Sequence, residues 1–222
     1  MLLFSRNINA GLRFAAWQIS EGEAFFRDDL PLTTAEMTDL GRHQHPVRRL
    51  EWLAGRWLLH RLTGRKERLA LAKNLYSKPF FLTAPQLHCS LSHSQGTVAA
   101  LLSDQVCGCD IQVLVEKMPR IAPKFMRPDE FEWVDRDEPA NRYEMIHLFW
   151  TAKEAMYKAH GLKELDFRAH LFLAPFTWYS NDLMETNGWI EKGDLRINYH
   201  LFMGYFQEAQ QSFVWTVAAT VI

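Results

Sequence analysis

The longest helical pattern in the chain runs from Asn141 to His160, and Gly161 closes it. Its apolar stripe, Met145, Leu148/Phe149, Ala152, Met156 and Ala159, needs a core to lie on. Within it, Phe149 to Lys158 reads FWTAKEAMYK. Glu154 follows Trp150 by four residues and precedes Lys158 by four, so the three share one helix face, with His147. That face lies opposite the apolar stripe, where a tryptophan asks for a covering surface or a ligand. On a generic helix Glu154 and Lys158 would form a solvated ion pair worth a few tenths of a kcal/mol. A carboxylate between an aromatic ring and an ammonium can also hold a metal ion and meet a phosphate.

A second carboxylate stands upstream in VCGCDIQ, Val106 to Gln112. Strand alternation puts Cys107, Cys109 and Ile111 on an apolar face, and Gly108, Asp110 and Gln112 on the other. A glycine beside an acid in a strand marks a close approach to the backbone. Asp110 either merely ends a strand or meets a lysine, or it faces a bound species. Two hard oxygen ligands from separate elements suit Mg²⁺, which completes its octahedron with water and phosphate oxygens. The three cysteines, Cys89, Cys107 and Cys109, are too few and unevenly placed for a disulfide framework, and no Cys/His pair stands at zinc spacing. They read as small apolar residues of buried strands.

Around these pieces the pattern is α+β. Leu12–Ile19 reads as a strand. Ser20 with Glu23 would form a capping box for a short helix from Glu21, and Thr33 or Thr34 opens another. Pro46 begins a helix through Leu62, which Gly64 ends. Lys78-Pro79 and Pro85 mark an irregular connection. Residues 87–91 and 97–103 read as strands around a Ser-His-Ser-Gln-Gly turn, and 106–113 as a further strand. Arg127–Trp133 reads as a short helix, and the last third, LFLAPFTWY, GDLRINYHLFMGYF and SFVWTVAATVI, as antiparallel strands. Trp-x-Ala recurs at Trp52/Ala54 and Trp150/Ala152, each ahead of a closing glycine. This echo suggests two similar halves, 1–104 and 105–222, with a ligand cleft between them.

A net charge of −1 gives no general pull toward nucleic acid or membrane, and no nucleic-acid signature is present. No apolar run is long enough to span a bilayer, and the first residues do not read as a leader; a cytoplasmic monomer is expected. Charge is uneven locally. Residues 42–78 hold ten Lys/Arg against Glu51 and Glu67. Such a run is either a solvated helix face or a docking surface for an anionic cofactor. In CSLSHS, residues 89–94, Ser92 and His93 lack the setting of a nucleophile. A turn of Ser, His and Gly with free N–H groups suits a phosphate better.

Together these segments resemble the 4′-phosphopantetheinyl transferases in their long, two-halved branch, over roughly residues 42–161. The family motifs (V/I)G(I/V)D(I/V)(E/x) and (F/W)(S/T/C)xKE(A/S)xxK are matched by VCGCDIQ and WTAKEAMYK, and a G-K-P turn followed by F-N-x-S-H-S is matched more loosely by Ser77-Lys78-Pro79 and Cys89–Ser94. The resemblance implies two similar α+β halves with coenzyme A in the cleft between them. It implies Mg²⁺ on Asp110 and Glu154, with Gln112 where the family often has a third acid. The serine of an apo acyl- or peptidyl-carrier protein would attack the β-phosphate, take the phosphopantetheine and release adenosine 3′,5′-bisphosphate. Lys153, Glu154 and Lys158 map to the catalytic positions, with Glu154 taking the serine proton directly or through a metal-bound water. Lys78, Ser92 and His93 map to phosphate contacts, and Arg48 and Arg49 fall in the basic helix region that assists. Gln112 removes one charge, and Ser90 and Ser77 replace the motif's asparagine and glycine.

Two other readings follow from the same residues. One is a module that binds coenzyme A or carrier protein without turnover. The other is an unrelated Mg²⁺-dependent nucleotide hydrolase. Carrier proteins are generally acidic, so exposed basic or apolar residues are docking candidates. Met118, Phe125 and Met126 lie where the family docks its partner, and core packing explains them equally well.

Overall fold

Two glycines in the left-handed conformation, Gly64 (φ 65°) and Gly161 (φ 69°), close the two long helices of the chain. A residue with a Cβ resists that geometry, so each glycine is a stop signal. In the computed structural model, which describes residues 1–9, 11–180 and 183–221, the chain divides into two compact units, Met1–Val106 and Cys107–Ile222. The architecture is α+β, with antiparallel strand pairing throughout the described residues.

The first unit opens with strands β1 (Leu2–Asn9) and β2 (Leu12–Gln18). Helices α1 (Glu23–Asp28), α2 (Thr34–Gly41) and α3 (Pro46–Thr63) follow. Then come β3 (Leu71–Lys73), β4 (Pro79–Phe81), β5 (His88–Ser94) and β6 (Thr97–Ser103). The main sheet has the order β1-β2-β6-β5. Thr33 caps α2 in a full capping box with Glu36. The box expected at Ser20 does not form. Helix α1 starts two residues later behind Gly22, and Glu21 instead accepts from the Trp17 indole N–H at 3.1 Å. The connection around Lys78-Pro79 is more regular than expected, because β3 and β4 pair there.

The second unit holds β7 (Cys107–Val113), α4 (Met118–Ile121), a 3₁₀ turn (Ala122–Lys124) and α5 (Pro128–Asp137). After a second 3₁₀ turn (Pro139–Asn141) come α6 (Arg142–His160) and α7 (Phe167–His170). The sheet is completed by β8 (Leu171–Leu173), β9 (Met184–Lys192), β10 (Leu195–Glu208) and β11 (Gln211–Thr220), in the order β7-β11-β10-β9-β8. Strand β8 is shorter than the LFLAPFTWY segment, where Pro175 removes a ladder donor. Strands β1 and β9 escaped the pattern. Ile222, the last residue of the expected final strand, lies outside the described residues.

Each unit has a sheet strand ahead of its long helix, β2 or β7, and ends on an antiparallel pair, β5–β6 or β10–β11. The last strand lies between them: β2-β6-β5 in the first unit and β7-β11-β10 in the second. In the second unit α6 is buried along most of its length. Met145, Leu148, Phe149, Ala152, Met156 and Ala159 are at most 1% exposed and belong to the unit's core. No helix among the described residues is long and apolar enough to cross a membrane.

Candidate active site

The site in the second unit is set by how closely α6 lies on β7. A Cβ at Gly108 would fall 2.5 Å from the Ala159 nitrogen and closer still to the Ala155 carbonyl oxygen. What approaches this glycine is therefore the helix backbone. The face carrying Gly108 and Asp110 meets α6, and a hydrogen bond of 2.9 Å between Thr151 and Thr216 ties α6 to β11 beside it. Cys107, Cys109 and Ile111, on the opposite face, are buried, and all three cysteines are free thiols.

Ala155 and Ala159 rest on the strand, so their neighbours Glu154 and Lys158 stand at its margin, close to Asp110. The Lys158 ammonium donates to Asp110 Oδ1 at 2.7 Å. Asp110 is 6% exposed. Burial pushes the Lys158 pKa down, but the charge of Asp110, helped by Glu154, outweighs it and holds the ammonium above its ordinary value. Glu154 is half-buried, with Trp150 and Tyr157 as neighbours on the helix face. Burial first, and the Asp110 carboxylate second, hold the Glu154 carboxyl up to about 7, against the opposing pull of Lys158. The structure thus brings Asp110, Glu154 and Lys158 into one electrostatic cluster. Gln112, on the same strand face, donates its Nε2 to the Val113 carbonyl at 2.7 Å. No group of three or more His, Cys, Asp and Glu converges among the described residues. The Asp110 carboxylate raises the Glu154 pKa by repulsion, and a divalent cation between the two fits because it removes that repulsion.

Lys153 does not join the cluster. Its side chain is fully buried, and its ammonium donates to the Phe125 carbonyl at 2.6 Å and to Glu130 Oε2 at 2.8 Å. The same Glu130 oxygen accepts the Arg127 N–H at 2.8 Å and so caps α5. Burial pushes both partners toward their neutral forms, Glu130 up and Lys153 down. A turn of about 100° per residue carries Lys153 away from the face of Glu154 and into the core. Glu130 was not picked out in the sequence, where it is one of several acids in the segment.

His147 and Trp150 also depart from the expected polar face. His147 is fully buried, accepts the Val115 N–H at Nε2 and turns Nδ1 to the Tyr143 carbonyl at 2.8 Å. Trp150 is covered by Phe125 and Phe167, with ring centroids 5.1 and 5.7 Å away. Met118, Phe125 and Met126 are 3% exposed or less, which removes them as docking residues. The same segment exposes Lys117, Arg120 and Lys124.

In the first unit the expected phosphate-binding residues separate. Arg48 and His93 come together, with Arg48 Nη1 3.0 Å from His93 Nδ1. Arg49 is instead held by Glu23, at 2.8 and 3.2 Å, and by the Leu40 carbonyl. Ser92 is 5% exposed, and Ser92-His93-Ser94 belong to β5, where they pair with β6, rather than to a turn. The turn is Gln95-Gly96 alone, both at positive φ. The charge of Lys78 acts on His88, at the other end of β5 from His93. Much of the cationic run is neutralised from upstream. Arg61 pairs with Asp29, Arg68 with Glu36, and Lys73 with Asp39, while buried Arg56 lies within 4 Å of both Glu36 and Asp39.

Residues 106–215 match the family model of the 4′-phosphopantetheinyl transferase superfamily. Asp110, Gln112, Lys153, Glu154 and Lys158 all lie inside that match. The chain is 33% identical over 135 residues to the 4′-phosphopantetheinyl transferase AcpT of Salmonella typhi, covering 59% of this chain and 69% of the relative. It is 37% identical over 129 residues to AcpT of Escherichia coli O157:H7, covering 54% and 63%. With the 4′-phosphopantetheinyl transferase gsp of Aneurinibacillus migulanus it shares 30% identity over 111 residues, covering 50% and 46%. The chain belongs to the 4′-phosphopantetheinyl transferase superfamily.

Proposed function

We propose that this protein transfers the 4′-phosphopantetheine arm of coenzyme A to a serine of an apo acyl- or peptidyl-carrier protein, with Mg²⁺ and with release of adenosine 3′,5′-bisphosphate. The observation that carries the reading is the cluster of Asp110, Glu154 and Lys158 on facing elements of the second unit. Asp110 and Glu154 would hold the ion, with Gln112 Oε1 as a neutral third ligand. When bound, Mg²⁺ supplies charge neutralisation at the coenzyme's diphosphate.

Phosphoryl-type transfer needs positioning and charge cover more than covalent help from the protein. The serine oxygen forms a bond to the β-phosphorus, and the bond from that phosphorus to the bridging oxygen breaks. Glu154 accepts the serine proton. Lys158, steered by Asp110, covers charge on the departing oxygen. Lys153 acts at a distance, by holding the corner from Phe125 to Glu130 against α6. Arg48 and His93 bind coenzyme phosphate. The exposed cations Lys117, Arg120 and Lys124 are spaced three and four residues apart and so share one side of α4 and the following turn. They suit an acidic carrier protein. The matching strand orders of the two units support an internal duplication.

Mass spectrometry of an apo carrier protein incubated with this protein, coenzyme A and Mg²⁺ tests the reading. A phosphopantetheine mass gain, lost in Asp110→Ala and Glu154→Ala, is the expected result. Coenzyme binding without a mass gain across a panel of carrier proteins would mark a non-catalytic module. Release of adenosine bisphosphate with no carrier protein present would mark a hydrolase.

A further inference from the structure

We propose that Glu51 is a positioning residue for coenzyme binding: a buried carboxylate that fixes Arg48 and His93 in the arrangement that receives a phosphate. The proposal rests on the reading of Arg48 and His93 as coenzyme ligands. Glu51 lies in the second turn of α3 and is 5% exposed. Its Oε2 accepts from Arg48 Nη1 at 3.1 Å and stands 3.3 Å from His93 Nδ1. Its Oε1 accepts the Gly96 N–H at 3.4 Å. One buried acid thus links the start of α3, the end of β5 and the β5–β6 turn.

The two groups it holds are exposed, Arg48 by 59% and His93 by 46% of their side chains. Arg48 Nη1 lies 3.0 and 3.3 Å from the two imidazole nitrogens, so guanidinium and ring form one unit. An arginine free in solvent loses rotamer freedom when it grips an anion, whereas one already anchored has less to lose. A carboxylate in direct contact with a phosphate would repel it. Glu51 avoids this by lying beneath the pair, with one oxygen turned to the backbone of the hairpin. Its role is therefore to orient Arg48 and His93, without touching the ligand.

The test is coenzyme A affinity by calorimetry, with steady-state kinetics, in the full chain. Glu51→Ala is expected to raise the Kd and KM for coenzyme A about tenfold, with kcat within about twofold. Glu51→Gln, which keeps the shape and loses the charge, gives a smaller loss in the same direction and serves if the alanine variant does not fold. In the Arg48→Ala/His93→Ala background neither substitution should weaken binding further. Wild-type or tighter binding in the Glu51 variants overturns the proposal and leaves the coenzyme reading intact, provided that Arg48→Ala and His93→Ala each weaken binding. A loss that persists undiminished in the double-variant background is general damage to the fold and also overturns it. Normal coenzyme binding in Arg48→Ala and His93→Ala removes the underlying reading, and this proposal with it.

Discussion

The Lys158 ammonium and the Asp110 carboxylate meet at 2.7 Å although 48 residues separate them, because α6 rests directly on β7 at Gly108. Lys158 also pulls down the pKa of Glu154, so its removal leaves two carboxylates facing one another without a compensating charge. Lys158→Ala is expected to lower kcat about 100-fold. The acid limb of the pH–rate profile moves to higher pH, since Glu154 then holds its proton more tightly. An unchanged limb would separate Lys158 from Glu154.

The raised Glu154 carboxyl makes a statement about stability. Its pKa is about 7 in the folded chain, against an ordinary value of 4.5. Between those values the folded state binds more protons than the unfolded state, so stability falls as pH rises through the window and levels off above it. The loss in metal-free protein is up to about 3 kcal/mol. Urea unfolding at pH 5 and pH 7.5 measures it. Glu154→Gln should flatten the slope, and Mg²⁺ at pH 7.5 should raise the midpoint of the parent but not of that variant.

These relationships were unequally legible in the sequence. Pro46, Gly64 and Gly161 act locally, so the limits of α3 and α6 could be read directly. Gly108 signalled a close approach without saying of what; only the packing of Ala155 and Ala159 identifies the helix. The run of cations from Arg42 to Lys78 looked unbalanced because its acids lie earlier in the chain, at Glu23, Asp29, Glu36 and Asp39. Lys153 is the sharpest case. It adjoins Glu154 in sequence, yet one residue of helix rotation takes it into the core, where Glu130 and the Phe125 carbonyl make a charge tolerable. A capping box is expected at Ser20 and none at Thr33, and the box forms at Thr33. There Glu36 is also clamped by Arg68, while Glu21 draws the chain after Ser20 toward Trp17.

The close fit at Gly108 gives a direct test. Gly108→Ala puts a methyl into the α6 backbone, which cannot turn aside as a side chain can. It should cost about 3 kcal/mol, the upper part of the range for overpacking, and lower activity by separating Asp110 from Lys158. Denaturant midpoints and transfer rates should fall together. A variant of full stability and activity would mean that the helix does not rest there.

The buried pair Lys153–Glu130 should behave as structure. Lys153→Met alone leaves a carboxylate in the core, whose Oε1 already lacks a hydrogen-bond partner among the described residues, and should cost about 3–5 kcal/mol. Adding Glu130→Gln removes that charge and should recover most of the loss. If Lys153 only positions the corner, the double variant keeps kcat within about tenfold of the parent, while Glu154→Gln does not. A stable double variant with no activity would return Lys153 to the reacting groups.

Lys117, Arg120 and Lys124 bear on the partner rather than the coenzyme. All three are exposed and carry no ion pair among the described residues, whereas Met118 and Ala122 between them are buried. If an acidic carrier protein docks there, charge reversal at the three positions acts on encounter more than on chemistry. The KM for the carrier protein should rise about tenfold or more, with little change in kcat or in the KM for coenzyme A. The parent's carrier KM should climb with added salt, and the triple variant's should not, because the attraction that salt screens has been removed. Equal salt dependence in the two proteins would place the docking surface elsewhere.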